Sequence, residues 1–116
     1  MVLQLCTAHS LQTLVRSRGC LTDPEVRVYT IQVAGAVQYK HSKGVIHRDL
    51  KLKTLFLDAN MDIKVGDFGL ATILSPSRQR KPVPRGTLNY MAPETFESPY
   101  KGYDKRVDLW SLGVVM

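Results

Sequence analysis

Cysteine is scarce in this chain. The two present, Cys6 and Cys20, have no metal-type spacing and are too few for a disulfide scaffold. That excludes a zinc-knuckle reading and a small secreted fold, and it fits a reducing intracellular compartment, cytoplasm or nucleus. No run of about 18 apolar residues occurs, so no membrane span is expected. The N-terminus lacks a basic segment followed by an apolar core, so no secretory signal is expected. Acidic residues are in the minority, 10 against 16 basic, for a net charge of +6. The basic residues are scattered and aromatics do not interleave with them, so a nucleic-acid surface is not expected. There are no internal repeats. What remains is a 116-residue chain, 44% hydrophobic, of a size and composition that suit one globular domain.

Local signals divide the chain. Val2, Leu3 and Leu5 read as the end of a strand. Ser10 is placed to cap a short helix through Leu11, Leu14 and Val15, with Gly19 as its stop. Thr22-Asp23-Pro24-Glu25 is a capping box with proline in the first turn. The helix it opens should run to about Ser42 and end before Gly44, with an apolar seam through Val26, Tyr29, Val33 and Val37. Leu55-Phe56-Leu57 and Ile63-Lys64-Val65 flank the polar run Asp58 to Met61 and predict a hairpin. Residues 75–86 are rich in proline, serine and basic side chains and read as an exposed loop. Within it, the cluster Arg78, Arg80, Lys81 and Arg85 is expected to be solvated. A last helix is expected from near Asp104.

Four runs carry chemistry: His47-Arg48-Asp49-Leu50-Lys51, Asp67-Phe68-Gly69, Ala92-Pro93-Glu94 preceded by Gly86-Thr87, and Asp108 to Gly113. In this order and spacing they match the protein-kinase signature set. The whole chain resembles that family, from the hinge to the central helix. The runs HRDLK-L-x-x-LFL and KVGDFGLAT look most like the polo-like serine/threonine kinases. The resemblance implies an α+β fold: a partial kinase C-lobe, mostly helical, with a small hairpin. It implies one unit over residues 1–116, with ATP and Mg2+ as cofactors and a protein substrate or binding partner.

Phosphoryl transfer needs positioning and charge neutralisation more than covalent chemistry. The resemblance makes Asp49 the acceptor of the substrate proton, Lys51 the cation that steadies the transferred phosphate, and Thr87 the hydroxyl that bonds this pair. It makes Asp67 a magnesium ligand and puts Thr54 at the position of the second one. Leu5 and Cys6 fall where hinge backbone meets adenine, and Phe56 on the pocket floor. Arg48 would receive an activation-loop phosphate, Asp108 would brace the catalytic loop, and Glu94 would be structural. His47 reads as a packing and hydrogen-bonding residue.

Departures from the pattern shape the expectation. Thr54 stands where the family has asparagine. Val83 stands at the polo-like phosphorylation site, which removes that switch. Leu88 and Arg85 replace the usual proline and cysteine. Thr30 and Lys40 extend the seam of the long helix where relatives carry leucine. An unpaired buried lysine would be destabilising by several kcal/mol, roughly, so its ammonium is expected to reach the surface along its stem. The nucleotide-gripping lobe is expected to lie outside these residues, leaving the chain alone inactive. Two alternatives to an active kinase of this type are a pseudokinase or protein-binding module and a truncated product without function of its own.

Overall fold

The computed structural model describes residues 3–74, 85–97 and 104–116. Helix α1 (Leu11–Arg18) begins where the Ser10 hydroxyl accepts from the Thr13 amide, and it stops at Gly19, whose amide bonds back to the Val15 carbonyl. Helix α2 (Asp23–Ser42) opens on the expected capping box: Thr22 accepts from the Glu25 amide and Glu25 reaches back to the Thr22 amide. Arg18 adds a two-pronged ion pair to Glu25. With Thr22 it holds that carboxyl low, at about 2, and so ties α1 to the start of α2.

Four short strands follow among the described residues. Strand β1 (Val45–Ile46) pairs antiparallel with β4 (Thr72–Ile73), and β2 (Leu55–Leu57) pairs antiparallel with β3 (Ile63–Val65). The β2–β3 turn is built by Asp58, whose Oδ1 accepts from the amides of Asn60 and Asp62. Residues 8–10 run along the other edge of β2: the Ala8 amide bonds the Leu57 carbonyl, and the Leu57 amide bonds the His9 carbonyl. The strand expected at Leu3 and Leu5 does not form. Among the described residues nothing pairs with that segment, and a strand without a ladder leaves its backbone groups to water. Helix α3 (Glu94–Glu97) is a single turn. Helix α4 (Arg106–Val115) starts just after Asp104, whose carboxylate accepts from the Arg106 amide.

The core forms where the α2 seam meets the hairpin. Tyr29, Val33 and Val37 pack with Leu11, Leu50, Leu55, Leu57 and Ile63, all buried. The Gln32 side chain fixes the register of α2 on β3, donating to Asp62 and accepting from the Ile63 amide. A second cluster of Ile46, Ala92 and Val107 joins β1, the residues before α3, and α4. The opposite faces are left open: Val28, Ile31 and Tyr39 on α2, and Leu109, Trp110 and Val114 on α4, are exposed. Thr30, half-buried in the seam, donates its hydroxyl to the Val26 carbonyl. Arg78, Arg80, Lys81 and Val83 lie outside the described residues.

The capping box holds the start of α2 through one hydroxyl, so it is open to a direct check. Thr22→Ala should lower stability by about 1 kcal/mol, read as a lower urea midpoint with an unchanged slope.

Candidate active site

The site begins with one buried carboxylate. Asp108, in the first turn of α4, is 1% exposed. Its Oδ2 accepts from the His47 amide at 2.9 Å and from His41 Nε2 at 2.8 Å, and its Oδ1 accepts from the Arg48 amide at 2.9 Å. Two consecutive amides on one carboxylate bend the loop after β1, and Arg48 adopts a left-handed φ of +69°. Such a conformation is uncommon outside glycine and needs surroundings that hold it. Arg48 is held at its side chain too, where Nε donates to the Leu70 carbonyl.

His47 is fully buried and bridges two segments. Its Nε2 faces the Gly66 carbonyl at 2.9 Å, and its Nδ1 accepts from the Asp49 amide at 3.3 Å. These partners assign the neutral tautomer with the proton on Nε2. Burial lowers the imidazole's pKa, which keeps the Nδ1 lone pair available.

The loop then presents Asp49. Its Oδ1 accepts from the Thr87 hydroxyl at 2.6 Å and the Thr87 amide at 3.0 Å, and its Oδ2 accepts from Lys51 Nζ at 2.7 Å. The same ammonium donates to Thr87 Oγ1 at 2.7 Å. Asp49, Lys51 and Thr87 therefore close a triangle of charge-assisted bonds. Burial raises the Asp49 pKa, but the bonds from Lys51 and Thr87 outweigh it, and the net direction is down. Asp49 is an anion at neutral pH, with one lone pair of Oδ2 not taken by these donors.

Thr87 reaches Asp49 because Gly86 lets it. Gly86 has φ +140°, and a Cβ there would stand 2.4 Å from the Arg48 carbonyl oxygen. No larger residue fits at that crossing without moving the two segments apart.

Thr54, at the position expected for the second metal, turns its hydroxyl into the loop backbone. Its hydroxyl is 1% exposed, accepts from the Lys51 amide and lies within bonding distance of the Asp49 and Lys51 carbonyls. A hydroxyl shorter than the asparagine amide is drawn into the loop backbone, where it pins the turn between Asp49 and Leu55. Asp67 differs: it is exposed, has φ +57°, and accepts only a long bond of 3.4 Å from the Gly69 amide among its described contacts. Among the described residues no three histidine, cysteine or acidic side chains gather as a metal cage. A single carboxylate still fits magnesium, which keeps several waters and binds through one or two carboxylates plus phosphates. The Asp67 carboxylate thus fits one such ion, while the Thr54 hydroxyl is already engaged by the loop backbone.

Leu5 is exposed, Cys6 is half-buried, and the half-buried Phe56 ring lies against Gly66, where a Cβ would come within 2.9 Å of it. Residues 8–10 carry the chain from Cys6 to the edge of the strand that holds Phe56.

The family model for the protein kinase domain matches residues 1–116. The chain belongs to the protein kinase domain family. Among curated proteins it is 48% identical to the cell cycle serine/threonine-protein kinase CDC5/MSD2 of Saccharomyces cerevisiae, over 115 residues, 99% of this chain and 16% of that protein. It is 48% identical to the serine/threonine-protein kinase PLK1 of Xenopus laevis, over 99% of this chain and 19% of that protein. It is 40% identical to the serine/threonine-protein kinase PLK2 of Mus musculus, over 99% of this chain and 17% of that protein. These relatives bear out the resemblance to the polo-like branch. The kinase chain spans less than a fifth of their length.

Several contributors to this kinase site were not legible in the sequence. His41 lies six positions before His47 and has no motif of its own, yet it completes the Asp108 cluster. The crossing at Gly86 is implied only by the residue's type. Lys40 was expected to reach the surface; instead its ammonium is enclosed and 4.2 Å from the Phe68 ring centroid, because the seam of α2 directs it inward under that ring.

The triangle makes a titration prediction. The folded pKa of Asp49 is depressed, so the carboxylate adds stability above its unfolded value, near 3.9, and this is lost as pH falls through the folded value. Thr87→Val removes the hydroxyl donor. It should raise the Asp49 midpoint, followed by 13Cγ NMR, and lower stability at neutral pH by about 1–3 kcal/mol.

Proposed function

We propose that residues 1–116 supply the hinge, catalytic loop, activation segment and start of the central helix of a polo-like serine/threonine protein kinase. The observation that carries this reading is the closed Asp49–Lys51–Thr87 triangle. In that arrangement the remaining Oδ2 lone pair of Asp49 accepts the proton of a protein serine or threonine hydroxyl. Lys51 lies beside the same carboxylate, where it can offset charge developing on a transferred phosphoryl group. Both act by position and electrostatics, as this reaction requires. A preformed triangle with both bonding partners in place favours phosphotransfer over a binding module that has lost it.

Magnesium, bound through Asp67, would neutralise the nucleotide phosphates. Leu5, Cys6 and Phe56 would form the adenine side of the ATP site. Thr54 acts as a pin for the catalytic loop through its bonds to the loop backbone. The partner is a protein bearing a hydroxyl acceptor. No helix among the described residues is long and apolar enough to cross a membrane, and both cysteines are free thiols; the reading places the protein in the cytoplasm or nucleus. In this reading catalysis belongs to the kinase domain as a whole, to which residues 1–116 contribute the acceptor-side residues, the magnesium carboxylate and one side of the adenine site.

A thermal melt followed by circular dichroism, with and without magnesium-ATP, tests the reading. Ligand at ten times its Kd should raise Tm by roughly 3–8 °C for a chain of this size. Asp67→Asn should abolish that rise and Asp49→Asn should retain it. No rise at saturating magnesium-ATP, or a rise unchanged in Asp67→Asn, contradicts the assignment.

A further inference from the structure

Lys40 lies in the last turn of α2, at the end of the seam that buries Tyr29, Val33 and Val37. Among the described residues its ammonium is a buried side-chain group without a hydrogen bond. It has an aromatic face instead, with Nζ 4.2 Å from the centroid of Phe68. The same ring meets His47 edge-on, with centroids 5.2 Å apart and planes at 60°. A cation over a ring face is attracted by the ring quadrupole, and more strongly once water is excluded.

Phe68 needs such an anchor. It is 48% exposed, too open to be fixed by apolar packing alone. Its neighbour Asp67 sits at φ +57°, in the left-handed region that aspartate enters more readily than most non-glycine residues, though still at some energetic disadvantage. The Arg48 bond to the Leu70 carbonyl restrains the far side of this turn. On the near side stand Lys40 and His47. The charged and titratable groups facing Lys40 are His47 from the catalytic loop, kept neutral by burial, and Asp108 from α4, whose charge favours the ammonium. Burial acts the other way and is the stronger, holding Lys40 at about 8. It is therefore charged at neutral pH.

We propose that Lys40 is a positioning residue, whose cation–π contact holds the Phe68 ring from inside the core and thereby sets the place of the Asp67 carboxylate. A leucine at this position would pack against the ring with no preference for its charge distribution. Lysine ties the ring to a charge, and the placement of Asp67 then weakens as that charge is lost in mild alkali. The consequence for magnesium rests on the reading of Asp67 given above; the contact itself does not.

The test replaces Phe68 by phenylalanine carrying one, two or three ring fluorines, which weakens the quadrupole stepwise at nearly constant shape. Two NMR signals are followed in the full chain: the Lys40 13Cε titration, and the amide of Gly69, which donates to Asp67 Oδ1. The Lys40 midpoint should fall with each fluorine, by about half a pH unit to one unit in all, and the Gly69 amide should move in step. Lys40→Met should displace the Gly69 amide at every pH, and Lys40→Arg should restore it. A Lys40 midpoint indifferent to fluorination overturns the proposal, as does a Gly69 amide that stays fixed while Lys40 responds. Mn2+-ATP added to the parent chain separates the two readings. Broadening of the Gly69 amide supports both. No broadening beside an intact fluorine response supports the Lys40 contact and overturns Asp67 as the cation ligand.

Discussion

The buried carboxylate of Asp108 is the interaction on which the rest of this structure depends. It accepts from the amides of His47 and Arg48 and from the ring of His41, so three donors that would be orphaned on burial share one acceptor. It also joins elements far apart in sequence, with α4 reaching back to the end of α2 and the loop after β1. Loss of this anchor would leave two inward-facing amides without a partner, each a penalty of about 1–3 kcal/mol.

From that anchor the site follows by a chain of constraints. The left-handed turn at Arg48 directs Asp49 towards Thr87, and the close approach of Gly86 to the Arg48 carbonyl brings Thr87 to it. Lys51 completes the triangle, and the buried hydroxyl of Thr54 fixes the loop spacing that lets it do so. Each part is strained or desolvated alone and satisfied in company, which is how a fold holds a reactive carboxylate in one place. The second motif is joined to the first by the His47 ring, which bonds the Gly66 carbonyl and meets Phe68 edge-on.

Much of this was legible because the informative signals are local. Ser10, Thr22 with Glu25, and Gly19 mark helix ends through hydrogen bonds within a few residues, and all act as expected. The two short strand-like runs flanking the polar residues Asp58 to Met61 predicted the hairpin. The roles around Asp49 came from motif order, and the geometry brings Asp49, Lys51 and Thr87 together. What the sequence hid depends on contacts across long separations. The direction of Lys40 is set by where Phe68 lies, and the orientation of the Thr54 hydroxyl by the backbone around it. The absence of a strand at Leu3 and Leu5 reflects a missing neighbour, which no local pattern encodes.

Asp108 assembles the loop from His47 to Thr54 without help from any ligand. Native-state hydrogen exchange of the chain without ligand tests it most directly. The amides of His47 and Arg48 should exchange among the slowest outside the helices, and Asp108→Ala should speed both by at least about tenfold, the equivalent of 1.4 kcal/mol, while the α1 amides keep their rates. Exchange at those two amides as fast as in the segment from Leu3 to Cys6, or unchanged by the substitution, would contradict it.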